Sequence, residues 1–274
     1  MMNLIYSLII LPLLVLLSHI YSIFSGRIRK PLFERYKTTT KLNKWKAENY
    51  DSSRKVIIIH SSSMGEFEHI KPLISKLSQE FNVHIIVTFF SPSGYENVQI
   101  YDGVNLFLYL PFDFKFIWKK FYNLSQADIL IISKHDVWPN QIKIAKKKGI
   151  CTILVNASLN DKSSRNSHFA RLILSSAYRD LNKIFVISEQ DSQQFAKSFN
   201  CTNTEVVGDT KFDQVFKRQK ESIDHQLIDT KWLKDNLILI LGSLWPQDAE
   251  HVLKLMPMLL EKFAKLKTSK APPS

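Results

Sequence analysis

Cysteine is nearly absent: Cys151 and Cys201 are the only two. No Cys-x-x-Cys and no Cys/His ligand spacing occurs, which argues against a zinc site and makes a reducing compartment the simpler reading. Glycine (7) and proline (10) are not enriched and charged residues make up 23%, so wholesale disorder is not expected. Neither a Walker A motif nor a Gly-x-Gly-x-x-Gly fingerprint is present. Acidic residues are short, 25 against 37 Lys and Arg, for a net charge of +12. That balance favours anionic partners without choosing between nucleic acid, acidic lipid headgroups and phosphorylated substrates. No recognised nucleic-acid-binding motif accompanies the charge, so no nucleic-acid partner is expected.

What is present is apolar sequence, 45% of 274 residues, enough for one large or two modest domains. Residues 4–24 are almost entirely apolar, long enough to span a bilayer, though Pro12, Ser18 and His19 interrupt them. No basic residue precedes the stretch and no small-residue cleavage site follows, which argues against a cleaved signal peptide. Arg27, Arg29, Lys30, Arg35 and Lys37 follow, which predicts a cytoplasmic location for the rest of the chain. The alternative is a helix lying in the membrane interface.

A polar linker is expected over 38–54. Beyond it, apolar runs at 55–59, 84–88, 106–109, 129–132, 152–155, 184–187 and 205–207 predict strands. Helical patterns at 66–81, after Pro139 and at 189–199 lie between them. Alternation of this kind predicts an α/β layer fold with a parallel sheet, and directs attention to loops at the carboxyl ends of strands. A mixed, charged segment (217–235) precedes a new strand at 237–241, a helix near 248–265 and a tail. The expected domains are an anchor with its basic flank at 1–30, a Rossmann-like domain at 31–216, and a linker with the start of a second domain at 217–274.

Five loops carry chemistry-bearing residues. The first follows the first strand and contains Ser63, Gly65 and Glu66, where a helix start would hold Glu66 ionised, as a general base for a sugar hydroxyl requires. The second holds Ser93 and Gly94. The third holds Lys134, Asp136 and Asn140, and the fourth Lys211, a residue able to stabilise developing negative charge. The fifth contains Gly242 and Ser243. Each has an ordinary structural explanation: a first-turn acid, a Ser-Pro-Ser-Gly turn, a capped helix start beside a packed Trp138, a solvated lysine. For Glu66 and the Lys134 segment, that explanation is the better one on the residues alone.

In their order and spacing the segments say more. HSSSMGEFEHIKPLI (60–74), TFFSPSGYE (88–96), YLPFD (109–113), KHDVWPN (134–140), VGDTKFDQV (207–215) and GSLWPQDAE (242–250) resemble the family 30 glycosyltransferases that transfer 3-deoxy-D-manno-octulosonate (Kdo) in lipid A and lipopolysaccharide biosynthesis. The SPSGY and GDTKFD variants are most similar to Bacteroidetes-type members.

The resemblance implies a GT-B fold of two Rossmann-like domains, with an acceptor-binding N-terminal domain facing the membrane and a C-terminal donor domain. It implies that Glu66 is the general base for inverting transfer of Kdo from CMP-Kdo to a lipid A precursor. It places charge stabilisation on Lys134 and Lys211. Acceptor binding falls on Ser63, Gly65, Ser93, Gly94, Asp136 and Asn140, and donor binding on Gly242 and Ser243. Many relatives carry glutamate at the position of Lys134, and glutamate is usual at that of Asp136. No metal or cofactor is expected. The implied partners are CMP-Kdo, the lipid A precursor and an anionic membrane surface, at the cytoplasmic face of the inner membrane. The family continues well past Trp245, with a Pro-Arg-His-Pro-Glu-Arg-like segment and a Gly-Gly-Ser loop that are not found here. The reading therefore expects a C-terminally truncated chain, inactive by itself. The alternatives are another membrane-associated GT-B glycosyltransferase using a different nucleotide sugar, and a non-catalytic lipid-binding remnant.

Overall fold

The computed structural model describes residues 2–98, 100–222, 230–242 and 244–270. The apolar N-terminus is helical throughout as α1 (Met2–Phe24), long and apolar enough to cross a membrane. Its outer face, including Leu13, Leu16, Leu17 and Ile20, is exposed, while Tyr6 and Leu11 are buried beside Ile173. Ser25 is extended (φ −131°, ψ 104°) and separates α1 from α2 (Gly26–Tyr36). Residues 38–54, expected as a linker, instead begin with a third helix, α3 (Thr38–Asn49). Its polar composition hides two anchors one turn apart, Leu42 and Trp45, both buried in the core.

Seven parallel strands follow: β1 (Lys55–Ser61), β2 (Val83–Phe89), β3 (Leu106–Tyr109), β4 (Ile129–Ser133), β5 (Cys151–Ala157), β6 (Lys183–Val186) and β7 (Thr204–Val206). Their order, β3-β2-β1-β4-β5-β6-β7, reverses between β1 and β4. The connecting helices are α4 (Met64–Glu80), α5 (Pro92–Tyr95), α6 (Lys115–Ser125), α7 (Pro139–Lys147), α8 (His168–Asp180) and α9 (Glu189–Phe199), and α10 (Lys211–Ser222) follows β7. Helix α6 has no side-chain cap or proline at its start, whereas α8 is capped by Ser167, whose hydroxyl accepts the Ala170 N–H. Both faces of the sheet are covered, so the strands read as apolar runs rather than alternations. On one face Ile57, Ile59, Val87 and Phe89 pack on Phe67, Ile70 and Ile74 of α4. On the other, Val56, Ile58, Leu130 and Leu154 pack on Trp118, Phe121, Ile142 and Tyr178.

The chain divides into two compact units, Met1–Phe216 and Lys217–Ser274. In the second, α11 (Thr230–Leu233) precedes β8 (Leu237–Leu241), α12 (Pro246–Lys262) and β9 (Leu266–Lys270), which pairs parallel with β8. The helix expected near 248–265 starts and stops earlier, and part of the expected tail is a strand.

Candidate functional site

The carboxyl ends of β1, β2, β4 and β5 lie together at the point where the strand order reverses, the crevice in which open α/β sheets hold ligands. At the end of β1, Ser63 is the extended residue that begins α4 (φ −143°, ψ 172°). Glu66, in the first turn, folds back so that its Oε2 accepts the Ser62 N–H at 2.7 Å. That bond and the positive helix start favour the carboxylate. Burial works against it and wins: Glu66 is only 7% exposed, and its pKa is raised, the Ser62 bond and nearby His60 only partly offsetting the loss of water. Lys134 also acts on Glu66, favouring the charged form. The His135 Nε2 lies 4.0 Å from the other Glu66 oxygen.

Behind Glu66 stands a residue to which the sequence reading gave no role. His60 is fully buried on β1, with Nε2 2.8 Å from Asp136 Oδ2 and Nδ1 3.0 Å from the Thr88 hydroxyl. A carboxylate only accepts, so Nε2 carries a proton toward Asp136. Asp136 is held below the usual carboxylate range: burial opposes ionisation, but the His60 hydrogen bond and charge outweigh it. The pair ties the end of β1 to the loop after β4.

Two non-glycine residues at this edge adopt left-handed backbone conformations, Lys134 (φ 64°) and Asn156 (φ 54°). Such conformations are sparsely populated and cluster at functional sites. The Lys134 N–H donates to the Val155 carbonyl, which fixes the turn. Asn156 is buried and pairs with Thr210: its Nδ2 donates to the Thr210 Oγ1 and its Oδ1 accepts the Thr210 N–H. The Thr210 hydroxyl also reaches the His69 carbonyl on α4. These bonds draw the 208–211 loop onto α4 and bring Lys211 to the same edge. His69 senses both lysines: burial first, then Lys134 and Lys211, disfavours its charged form. Lys211 remains half exposed, 3.9 Å from Asp209. The hydroxyls of Ser61 and Ser133 and the His69 Nδ1 are buried without a partner among the described residues.

The other expected site residues part company here. Gly65 is exposed at the helix start, with nothing but the Ser63 hydroxyl near a would-be Cβ. Ser93 is exposed and its hydroxyl pairs with that of Ser91. Gly94 is buried, and a Cβ there would meet the Phe89 ring at 2.2 Å, so packing requires this glycine. Asn140 is likewise committed to the fold. Its Nδ2 donates to the Asp113 carbonyl, its N–H to the Asp113 carboxylate, and its Oδ1 accepts the Ser7 hydroxyl. Both polar atoms of its side chain thus already have a partner within the fold. Gly242 follows β8 in the second unit, and Ser243 lies outside the described residues. No cluster of three His, Cys, Asp or Glu suited to a metal occurs among the described residues.

The sequence profile of the 3-deoxy-D-manno-octulosonic-acid transferase (kdotransferase) family matches residues 24–214. The 3-deoxy-D-manno-octulosonic acid transferase of Haemophilus influenzae is 28% identical over 263 residues, 93% of this chain and 58% of that protein. The enzyme of the same name from Chlamydophila psittaci is 25% identical over 196 residues, 70% of this chain and 45% of that protein. The chain thus spans about half the length of these curated relatives. Among solved structures, the UDP-GlcNAc 2-epimerase of Neisseria meningitidis superposes with a TM-score of 0.55 at 12% identity, covering 79% of this chain and 64% of that one. That likeness shows the fold alone, a Rossmann-like unit of GT-B type.

Proposed function

The chain belongs to the 3-deoxy-D-manno-octulosonic-acid transferase family, and from that premise we propose that it serves the transfer of Kdo from CMP-Kdo to a lipid A precursor, with Glu66 as the general base. The observation that carries this reading is the setting of Glu66. It is a nearly buried carboxylate of raised pKa at a helix start, in the strand-order crevice, with cationic side chains on the same edge. A carboxylate stripped of water is a stronger base than an exposed one. It takes the proton of an acceptor hydroxyl as that oxygen bonds to the anomeric carbon of Kdo. The bond from that carbon to the CMP phosphate breaks on the opposite face, and the phosphate leaves with the electron pair. Lys134 and Lys211 neutralise the charge that develops. Asp136 and His60 hold the loop that carries Lys134.

Ser63, Gly65 and Ser93 are assigned to the acceptor side. The acceptor is assigned to the unit Met1–Phe216 and CMP-Kdo to Lys217–Ser274, with Gly242 and Ser243 as the donor-binding residues that the family resemblance implies. Helix α1 and the basic residues after it attach the protein to the inner membrane, on its cytoplasmic face.

The test joins this chain to the C-terminal half of the Haemophilus influenzae relative. Glu66→Gln in that protein is expected to lower turnover by about 10²–10⁴-fold with acceptor affinity retained. Turnover within a few-fold of the parent would remove Glu66 from the base role.

A further inference from the structure

Beside the Glu66 cluster, α1, α2 and the loops after β2 and β3 enclose a cavity of about 440 Å³. That is the size of a small-molecule site, roughly 300–1,000 Å³. Its wall is largely apolar, with Leu14, Leu32, Phe90, Leu110 and Trp138 among its residues. Arg35 is the one basic side chain in the wall. Its guanidinium donates to the Leu110 and Phe90 carbonyls and lies 4.4 Å over the Phe90 ring. No carboxylate pairs with it among the described residues, and burial pushes its pKa down to about 10. A cation so placed favours an anionic or strongly dipolar ligand group.

The cavity is joined to the site at one end and to an apolar surface at the other. Ser91, in its wall, donates its N–H to the Ser62 carbonyl at 2.7 Å, and the Ser62 N–H in turn holds Glu66. Trp138 stacks on Phe90 with ring centres 5.5 Å apart, two residues beyond Asp136. On the outside, Leu13, Leu16, Leu17 and Ile20 continue the apolar face of α1 into solvent.

We propose that this cavity takes one acyl chain of the glycolipid acceptor, entering along α1, with the polar end of that chain at Arg35 and its sugar at Glu66. The proposal rests on the functional reading above. A membrane phospholipid has the same tail, but nothing in its structure needs the connection from the cavity to Glu66. An acylated, phosphorylated disaccharide uses both ends, and its negative charge matches the unpaired Arg35.

The test places the 274-residue chain in phosphatidylcholine vesicles with tetraacyldisaccharide phosphate carrying a diazirine on one acyl chain. Expected photolabelling falls on Leu32, Phe90 and Trp138 as well as on the exposed face of α1. Ser18→Trp fills the cavity from α1, and the Ser18 hydroxyl bonds only to the Leu14 carbonyl of its own helix among the described residues. This variant is expected to cut cavity labelling at least about tenfold, with the exposed face of α1 still labelled as internal reference. Labelling of wild type confined to that exposed face overturns the proposal independently of how the variant folds. A phosphatidylcholine diazirine probe that labels the same three positions and is not displaced by unlabelled acceptor also overturns it. Cavity labelling without Kdo transfer in the joined enzyme counts against the Kdo-transfer reading alone and leaves the cavity assignment supported.

Discussion

Glu66 is held between two opposing demands, ionisation for its proposed chemistry and burial for its position. Burial raises its pKa in the folded chain above the unfolded value. Between those two values the folded state binds more protons, so stability falls as pH rises through that window. Glutamine keeps the shape and cannot ionise. Glu66→Gln is therefore expected to melt higher than the wild type at neutral pH, with the gap closing as pH falls through the Glu66 titration. Identical melting curves at neutral pH would mean that ionised Glu66 costs the fold nothing. Gly94 tests the opposite kind of residue. Its would-be Cβ sits 2.2 Å from the Phe89 ring, inside any allowed contact. Gly94→Ala is expected to destabilise by about 1–3 kcal/mol in urea unfolding. Glu66 was legible on the residues only as a first-turn acid after a strand, and the family resemblance, not its local pattern, singled it out. His60 was not, since a histidine ending an apolar run looks like core until its partner Asp136, 76 residues away, is brought to it. The structural bonds of Asn140 were hidden for the same reason: its partners Asp113 and Ser7 are distant in sequence.

At the scale of elements, the most informative join is between α1 and the sheet. Buried Asp113 accepts from the Tyr6 hydroxyl, the Trp118 indole N–H and the Asn140 and Gln141 backbone N–H groups. One carboxylate thus fastens the apolar helix, α6 and the start of α7. Burial pushes the Asp113 carboxyl up to about 7, so each bond lies between the neutral and charged cases, about 0.5–3 kcal/mol. Tyr6→Phe removes one donor without changing the shape. It is expected to lower stability by about that amount and to speed amide exchange in the first half of α1 and in α8, which Asn3 and Leu11 contact. Unchanged exchange there would show that apolar packing alone docks the helix. Strand positions were largely legible because each was an apolar run. The helix over 38–49 was not, because only Leu42 and Trp45 of its residues reach the hydrophobic core.

At the scale of the whole molecule, the two units differ in how much they bury. The first encloses two hydrophobic clusters on either side of a seven-stranded sheet. The second has two described strands, β8 and β9, and α12 contributes no buried residue. Leu237, Ile240, Leu253, Leu255, Met258 and Leu260 remain exposed there. A sheet of two strands lacks the apolar burial that independent stability requires, and an open apolar face of this kind invites association. Amide exchange follows local opening, whose cost tracks buried contacts. The amides of β8 are therefore expected to exchange several orders of magnitude faster than those of β1 and β4, by mass spectrometry on the 274-residue chain. The 274-residue chain should bind more of a hydrophobic dye than the chain without residues 217–274, on which the exposed face of α1 still binds some. Protection of β8 equal to that of β1, with equal dye binding by the chains with and without residues 217–274, would mean that the apolar face of β8 and α12 is covered in solution, and the two units would not differ in exposed apolar surface.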